Sequence, residues 1–112
     1  MDFRTYRKLA LTAEPGWGVA FFRISDCEVY NQTLYWLISS GLEIQHEYLQ
    51  VKQLAGVDVI IYCMRRRTLE EFVSKMNITI FWGENECRWL LPEISNTFYR
   101  LWFSSVLFKT IV

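Results

Sequence analysis

The chain has 112 residues, with 12 cationic and 12 acidic side chains, so its net charge near neutral pH is zero. This length suits a single domain, residues 1–112. Zero net charge excludes a global field that attracts nucleic acid or anionic membranes, so binding of either kind needs a local patch. The apolar fraction of 52% supplies a core, yet no apolar run reaches the roughly 20 residues of a membrane span.

The three cysteines, Cys27, Cys63 and Cys87, are odd in number and lack the spacing of a metal site. The charged segment Met1–Lys8 has no apolar core of the kind that a secretory signal needs. We therefore expect free thiols, no metal or other cofactor, and a cytoplasmic, reducing environment.

The N-terminal part of the chain predicts an arm, a strand and a helix. Residues 1–16 suit an N-terminal arm or a short helix, and Trp17–Ile24 predicts the first strand. Ser25 and Glu28 form a capping box, which predicts a helix that begins there and ends at Gly41. The inner face of this helix would carry Cys27, Tyr30, Leu34, Leu37 and Ile38.

The middle of the chain predicts a hairpin with one buried strand. Leu42–Leu54 fits a strand or a helix, and we favour a strand because Ala55-Gly56 then joins it to the next strand as a hairpin. Val57–Met64 is apolar and rich in β-branched residues, which is typical of a strand covered on both faces. The residues expected beneath the helices are Val59, Ile61 and Cys63.

A basic segment separates this strand from a second predicted helix. The arginines are Arg65, Arg66 and Arg67. Thr68 and Glu71 then form another capping box, which predicts the helix start, and Asn77 suits a left-handed C-terminal residue. The apolar face of the helix comprises Leu69, Phe72, Val73 and Met76.

The last two predicted strands are Ile78–Trp82 and Cys87–Leu91. The resulting order, β-α-β-β-α-β with one added strand, is that of a ferredoxin-like α+β domain. We expect an antiparallel sheet with two helices packed on one face.

The C-terminal tail, Ser95–Val112, is apolar in nearly every register, whether it is counted as helix or strand. A segment that is apolar all round is buried on more than one side, and a small domain covers only one side easily. We therefore expect a second copy or another protein to cover the rest, with Trp102, Phe103 and Phe108 in the contact.

No residue pattern in the chain predicts catalysis. The single histidine, His46, lies between Glu43 and Glu47 and is interpreted as an exposed residue among solubilising charges. The five glycines form no phosphate-binding loop. We therefore expect a protein that is not an enzyme.

The sequence leaves three interpretations of the function, of which an enzyme that uses His46 or a cysteine thiol is the least favoured. The first is a non-catalytic protein–protein interaction module, homo-oligomeric through its tail; by composition it is of the kind found among inhibitors, toxin-neutralising immunity proteins and viral accessory proteins. Arg65, Arg66 and Arg67 would then bind a carboxylate or phosphate of the partner, unless they form only a solvated turn. The alternative is an RNA-binding ferredoxin-like module that uses the sheet face and the same arginines.

Overall fold

The computed structural model describes residues 3–111 of the chain, and the side chains of residues 3–109. The described residues form an α+β domain with four α-helices and a six-stranded antiparallel sheet. In chain order the elements are α1 (Phe3–Thr12), β1 (Trp17–Phe22), β2 (Asp26–Tyr30), α2 (Asn31–Ser39), a 3-10 turn (His46–Tyr48), β3 (Gln50–Leu54), β4 (Val57–Arg65), α3 (Arg66–Ser74), β5 (Phe81–Trp82), β6 (Glu86–Leu90) and α4 (Asn96–Ile111).

The sheet is built from three hairpins, β1–β2, β3–β4 and β5–β6, each followed by a helix. Pairing of β2 with β4 and of β1 with β6 joins the hairpins in the order β3-β4-β2-β1-β6-β5. The expected antiparallel α+β sheet is confirmed. The ferredoxin-like arrangement is not confirmed. Two strands precede α2, where that order has one, and the strands lie in the order β3-β4-β2-β1-β6-β5.

One face of the sheet packs against α2, α3 and α4. The buried residues of this larger core are Ala20, Cys27, Val29, Leu34, Trp36, Leu37, Leu42, Ile60, Tyr62, Leu69, Val73, Cys87 and Trp89. Trp102, Phe103 and Val106 of α4 are partly buried against it. The predicted helical residues Leu34, Leu37, Leu69 and Val73 therefore do lie in the core.

The opposite face of the sheet is covered over its centre by α1. A smaller core there contains Val19, Phe21, Tyr30, Val59 and Ile61, with Leu9, Leu11 and Leu54 packed around it. Two ion pairs tie α1 to the strands, Arg7 with Glu86 and Lys8 Nζ with Glu28 Oε1 at 2.7 Å. The N-terminal segment is thus a helix that completes the domain.

This second core corrects the expected direction of the β4 side chains. Val59 and Ile61 are buried, but they lie beneath α1, while the intervening Ile60 and Tyr62 lie beneath the other helices. Cys63 is only half-buried. Side chains alternate between the two faces of a strand. When both faces are buried, both sets of alternating residues are apolar, so the sequence does not show which set packs against α1 and which packs against the other helices.

The first predicted helix start is wrong. Asp26–Tyr30 forms β2, and α2 begins at Asn31 rather than at the Ser25 capping box. Strand β2 pairs with β1 on one side and β4 on the other, and this pairing outweighs a local cap. The side chains of α2 then fix it to the sheet: Asn31 Oδ1 accepts a hydrogen bond from Ile60 N–H at 2.9 Å, and Thr33 Oγ1 accepts one from Val19 N–H at 3.2 Å.

The predicted N-cap of the second helix, Thr68, is also misplaced, by three residues. Helix α3 begins at Arg66, and Arg65 occupies the N-cap position without a side-chain hydrogen bond to the helix. The Arg66 N–H donates to the Ser25 carbonyl at 3.1 Å, so a neighbouring turn satisfies a backbone group that a cap usually satisfies. Tertiary contact has replaced the predicted Thr68 cap.

Several local predictions are confirmed. Ala55 and Gly56 have positive φ values of 54° and 77°, as a tight hairpin turn between β3 and β4 requires. Gly41 and Asn77 also have positive φ after the ends of α2 and α3.

The predicted strand Leu42–Leu54 is a strand only from Gln50 onward. Across residues 3–111, no helix has the length and apolarity that a membrane span requires.

Candidate functional site

The predicted tail forms the longest helix of the described chain, α4. Ser95 accepts hydrogen bonds at its start: its Oγ from Phe98 N–H at 3.4 Å, and its carbonyl from Tyr99 N–H at 2.9 Å. Serine in this position is a favoured helix N-cap. Val112, the last residue of the predicted tail, lies outside the described residues.

The inward face of α4 packs on its own domain. Tyr99, Trp102, Phe103 and Val106 recur at helical spacing and are all partly buried. The Tyr35 ring of α2 lies 5.6 Å from the Tyr99 ring and 5.4 Å from the Trp102 ring. Burial raises the pKa of Tyr99 to about 12. Two of the three predicted contact residues, Trp102 and Phe103, therefore pack largely within this domain.

A second side of α4 is apolar and open. Phe98 is 63% exposed, Leu101 63% and Phe108 68%. Together with the exposed Ser105, these residues have the spacing i, i+3, i+7, i+10, which places them in one narrow row along the helix. We call Phe98, Leu101, Ser105 and Phe108 the outer stripe.

The three arginines between β4 and α3 differ in their surroundings. Arg66 is half-buried, and its guanidinium carbon lies 3.7 Å from the centre of the Phe22 ring. Arg65 and Arg67 are exposed, and Arg67 Nε pairs with Glu71 Oε1 at 3.2 Å. Arg65 and Arg67 therefore extend into solvent, while Arg66 packs against the domain.

The arginines lie at one end of the sheet, beside an exposed tryptophan. The Phe22 ring that carries Arg66 also stacks with Trp82, at 6.1 Å between centres and 25° between planes. Trp82 is 55% exposed. We call Arg65, Arg66, Arg67, Phe22 and Trp82 the arginine corner.

A cleft of about 1110 Å³ lies at the same end, between α1 and the β1–β2 turn. Its charged lining consists of Arg4, Arg7, Lys8, Arg23, Asp26 and Glu28. Lys8 pairs with Glu28 inside the lining, and Arg7 pairs with Glu86 from β6. The two signs of charge are thus interspersed, and the ion pairs serve to hold α1 on the sheet.

The residues considered for catalysis are dispersed. His46 is exposed in the 3-10 turn. Burial raises the pKa values of Cys27 and Cys87 to about 12 each, which keeps both as unreactive thiols near neutral pH. Among the described residues, no group of three or more His, Cys, Asp or Glu side chains is placed to hold a metal ion.

No protein-family model, curated protein or solved structure matches the chain. The outer stripe and the arginine corner are the two surfaces of the described residues that suit a binding partner. The sequence prediction placed the contact in the tail and singled out Trp102, Phe103 and Phe108. Of these, only Phe108 lies in the outer stripe, together with Phe98 and Leu101. If the tail is taken as a helix, the spacing of Phe98, Leu101, Ser105 and Phe108 in the sequence indicates that they lie in one row along it.

Proposed function

We propose that the protein is a non-catalytic protein–protein interaction module that forms homo-oligomers through the outer stripe of α4. The observation that supports this most directly is the exposure of Phe98, Leu101 and Phe108 in one row of a regular helix. Contiguous exposed apolar surface of this kind marks interaction sites in folded proteins.

The energetics favour a weak, reversible association. Complete burial of a large apolar side chain stabilises by about 1.5–3 kcal/mol, and the three stripe residues are each already about one third covered. Association also costs rotational and translational freedom, which removes several kcal/mol of that gain. We therefore expect exchange between monomers and oligomers rather than a permanent complex.

The test is a matched pair of substitutions on adjacent exposed residues of α4. Leu101→Glu places a charge within the outer stripe, whereas Arg100→Glu places the same group on the exposed side next to it. Sedimentation velocity should show that Leu101→Glu abolishes association and that Arg100→Glu retains it. Equal association of both variants and the wild type would contradict the proposal.

A second candidate function, binding of single-stranded RNA, is favoured by the arginine corner. Trp82 offers an exposed ring for base stacking, with exposed Arg65 and Arg67 on the same end of the sheet. Helices cover one sheet face and the centre of the other, so bases would contact this end rather than a sheet face.

The RNA candidate is tested with the purified protein and a labelled single-stranded oligonucleotide. Arg65→Glu/Arg67→Glu should abolish binding while leaving Arg66 in place on Phe22. Trp82→Ala, at an exposed site, should weaken binding through lost stacking. Absence of wild-type binding at low salt, with a 260-to-280 nm ratio typical of pure protein, would exclude this function.

A further inference from the structure

We propose that two copies of the chain pack their α4 helices antiparallel about a two-fold axis that passes near Phe103. This inference rests on the proposed function, since it specifies how the outer stripe of one copy contacts the outer stripe of another. The order of the residues in the stripe and their sizes both favour this arrangement.

The spacing of the residues in the outer stripe is the same in both directions along the helix. Phe98, Leu101, Ser105 and Phe108 are separated by three, four and three residues, so reversal of the helix superimposes the row on itself. An isologous dimer requires such self-complementarity, because the same surface serves both partners. The row also has the spacing of alternating a and d positions of a heptad, which is the seam of a helix pair.

Residue sizes favour the antiparallel direction. In that direction Phe98 lies level with Phe108 of the second copy, and Leu101 lies level with Ser105 of the second copy. A large side chain then fills the space above a small one at both inner positions, as close packing of helices requires. A parallel pair would instead place the two Ser105 side chains opposite each other and leave a gap at that level.

The size of the stripe sets the expected affinity. Three large apolar side chains from each copy form a contact at the lower end of specific interface sizes. We therefore expect a dissociation constant between about 10 µM and about 1 mM, which corresponds to roughly 4–7 kcal/mol of binding free energy.

The experiment measures distances between nitroxide labels in the dimer by electron paramagnetic resonance. The label sites are Thr97 and Ser104, which are exposed and seven residues apart on the same flank of the stripe. Each is changed to Cys in a Cys63→Ser background, and the buried Cys27 and Cys87 remain unlabelled. At a rise of about 1.5 Å per residue, antiparallel packing offsets paired Thr97 sites by about 18 Å along the axis and paired Ser104 sites by about 3 Å.

We expect the labels at Thr97 to lie about 10 Å farther apart than those at Ser104. Equal distances at the two sites, in a protein that still sediments as a dimer, would overturn the antiparallel arrangement and leave the proposed function standing. A labelled protein that shows no intermolecular distance and sediments as a monomer would overturn both. Leu101→Glu in the labelled background should remove the intermolecular distance.

Discussion

Gly18 and Trp89 are opposite each other in the β1–β6 pair, and the indole ring occupies the space that a side chain at Gly18 would need. A Cβ atom there would lie 2.6 Å from Trp89 Cε2 and 2.7 Å from Nε1. Trp89 is fully buried, and its ring also lies 6.2 Å from that of Trp36. The larger core therefore depends on the absence of a side chain at one position of β1.

Gly18→Ala should lower the free energy of unfolding by about 1–3 kcal/mol, because the added methyl group forces the indole ring or the strand to move. Urea denaturation of the wild type and the variant measures this loss. Adding Trp89→Phe provides the control, since a smaller ring relieves the overlap. Within the described residues the buried Trp89 Nε1–H has no hydrogen-bond partner. Trp89→Phe therefore removes packing contacts but no hydrogen bond.

Gly18→Ala should therefore lower the free energy of unfolding by a smaller amount in the Trp89→Phe background than in the wild type. The coupling between the two changes isolates the direct contact from any general effect on β1. An equal loss of unfolding free energy in both backgrounds would show that the added methyl group does not act through the Trp89 ring.

Arg66→Ala should destabilise the domain by about 0.5–2 kcal/mol, through loss of the guanidinium contact with the Phe22 ring and of packing by the side-chain stem. Arg67→Ala is the matched control, since its ion pair with Glu71 is largely exposed and contributes about 0.5 kcal/mol or less. Thermal unfolding of both variants distinguishes the structural arginine from the solvated one. Equal shifts in melting temperature would contradict this division.

Only one of the three thiols should react rapidly with a thiol-specific disulfide reagent at pH 8. Cys63 is partly exposed, while Cys27 and Cys87 are buried and have pKa values raised to about 12 by burial. Denaturant should make all three reactive. Rapid reaction of two or three thiols in the folded protein would show that the larger core opens more readily than its burial implies.

Stability should decline above pH 9. The ordinary thiol pKa of 9.0 governs the unfolded chain, whereas the buried thiols keep their protons up to about pH 12. Deprotonation above pH 9 therefore favours unfolding, and this contribution to stability is complete below that pH and is lost as the pH rises toward 12. Urea titrations across this range measure the slope, and Cys27→Ala/Cys87→Ala should make it shallower. An unchanged slope would assign the effect to Tyr30 and Tyr99, whose pKa values burial also raises.

The sequence predicted those parts of the fold that depend on local chemistry. The Ala55-Gly56 turn, the strand that became β4 and the apolar row Leu69, Phe72 and Val73 of α3 all follow from turn residues or periodicity. Met76, the last residue of the predicted row, lies beyond α3 and is exposed. The assignment of Asp26–Tyr30 failed because Ser25 and Glu28 form a valid local capping signal. Hydrogen bonding to the neighbouring β1 and to the distant β4 decided that segment, and the local capping signal does not report it.

The candidate site was predictable to a similar extent. The excess of apolar residues in the tail indicated that α4 has more apolar surface than contact with one side of the domain covers, and three of its large apolar side chains are exposed. Which residues face inward depends on Tyr35 of α2, so Trp102 and Phe103 could not be separated from Phe98 and Leu101 by sequence alone. Arg66 was likewise grouped with Arg65 and Arg67 because its contact with Phe22 spans 44 residues of the chain.

Sedimentation equilibrium of the wild-type protein tests the central claim most directly. The outer stripe predicts a reversible rise in apparent mass, from the monomer well below about 10 µM toward the dimer well above it. Leu101→Glu should remain at the monomer mass over the same range, with an unchanged circular dichroism spectrum. A wild-type protein that stays monomeric up to about 1 mM would contradict self-association through α4.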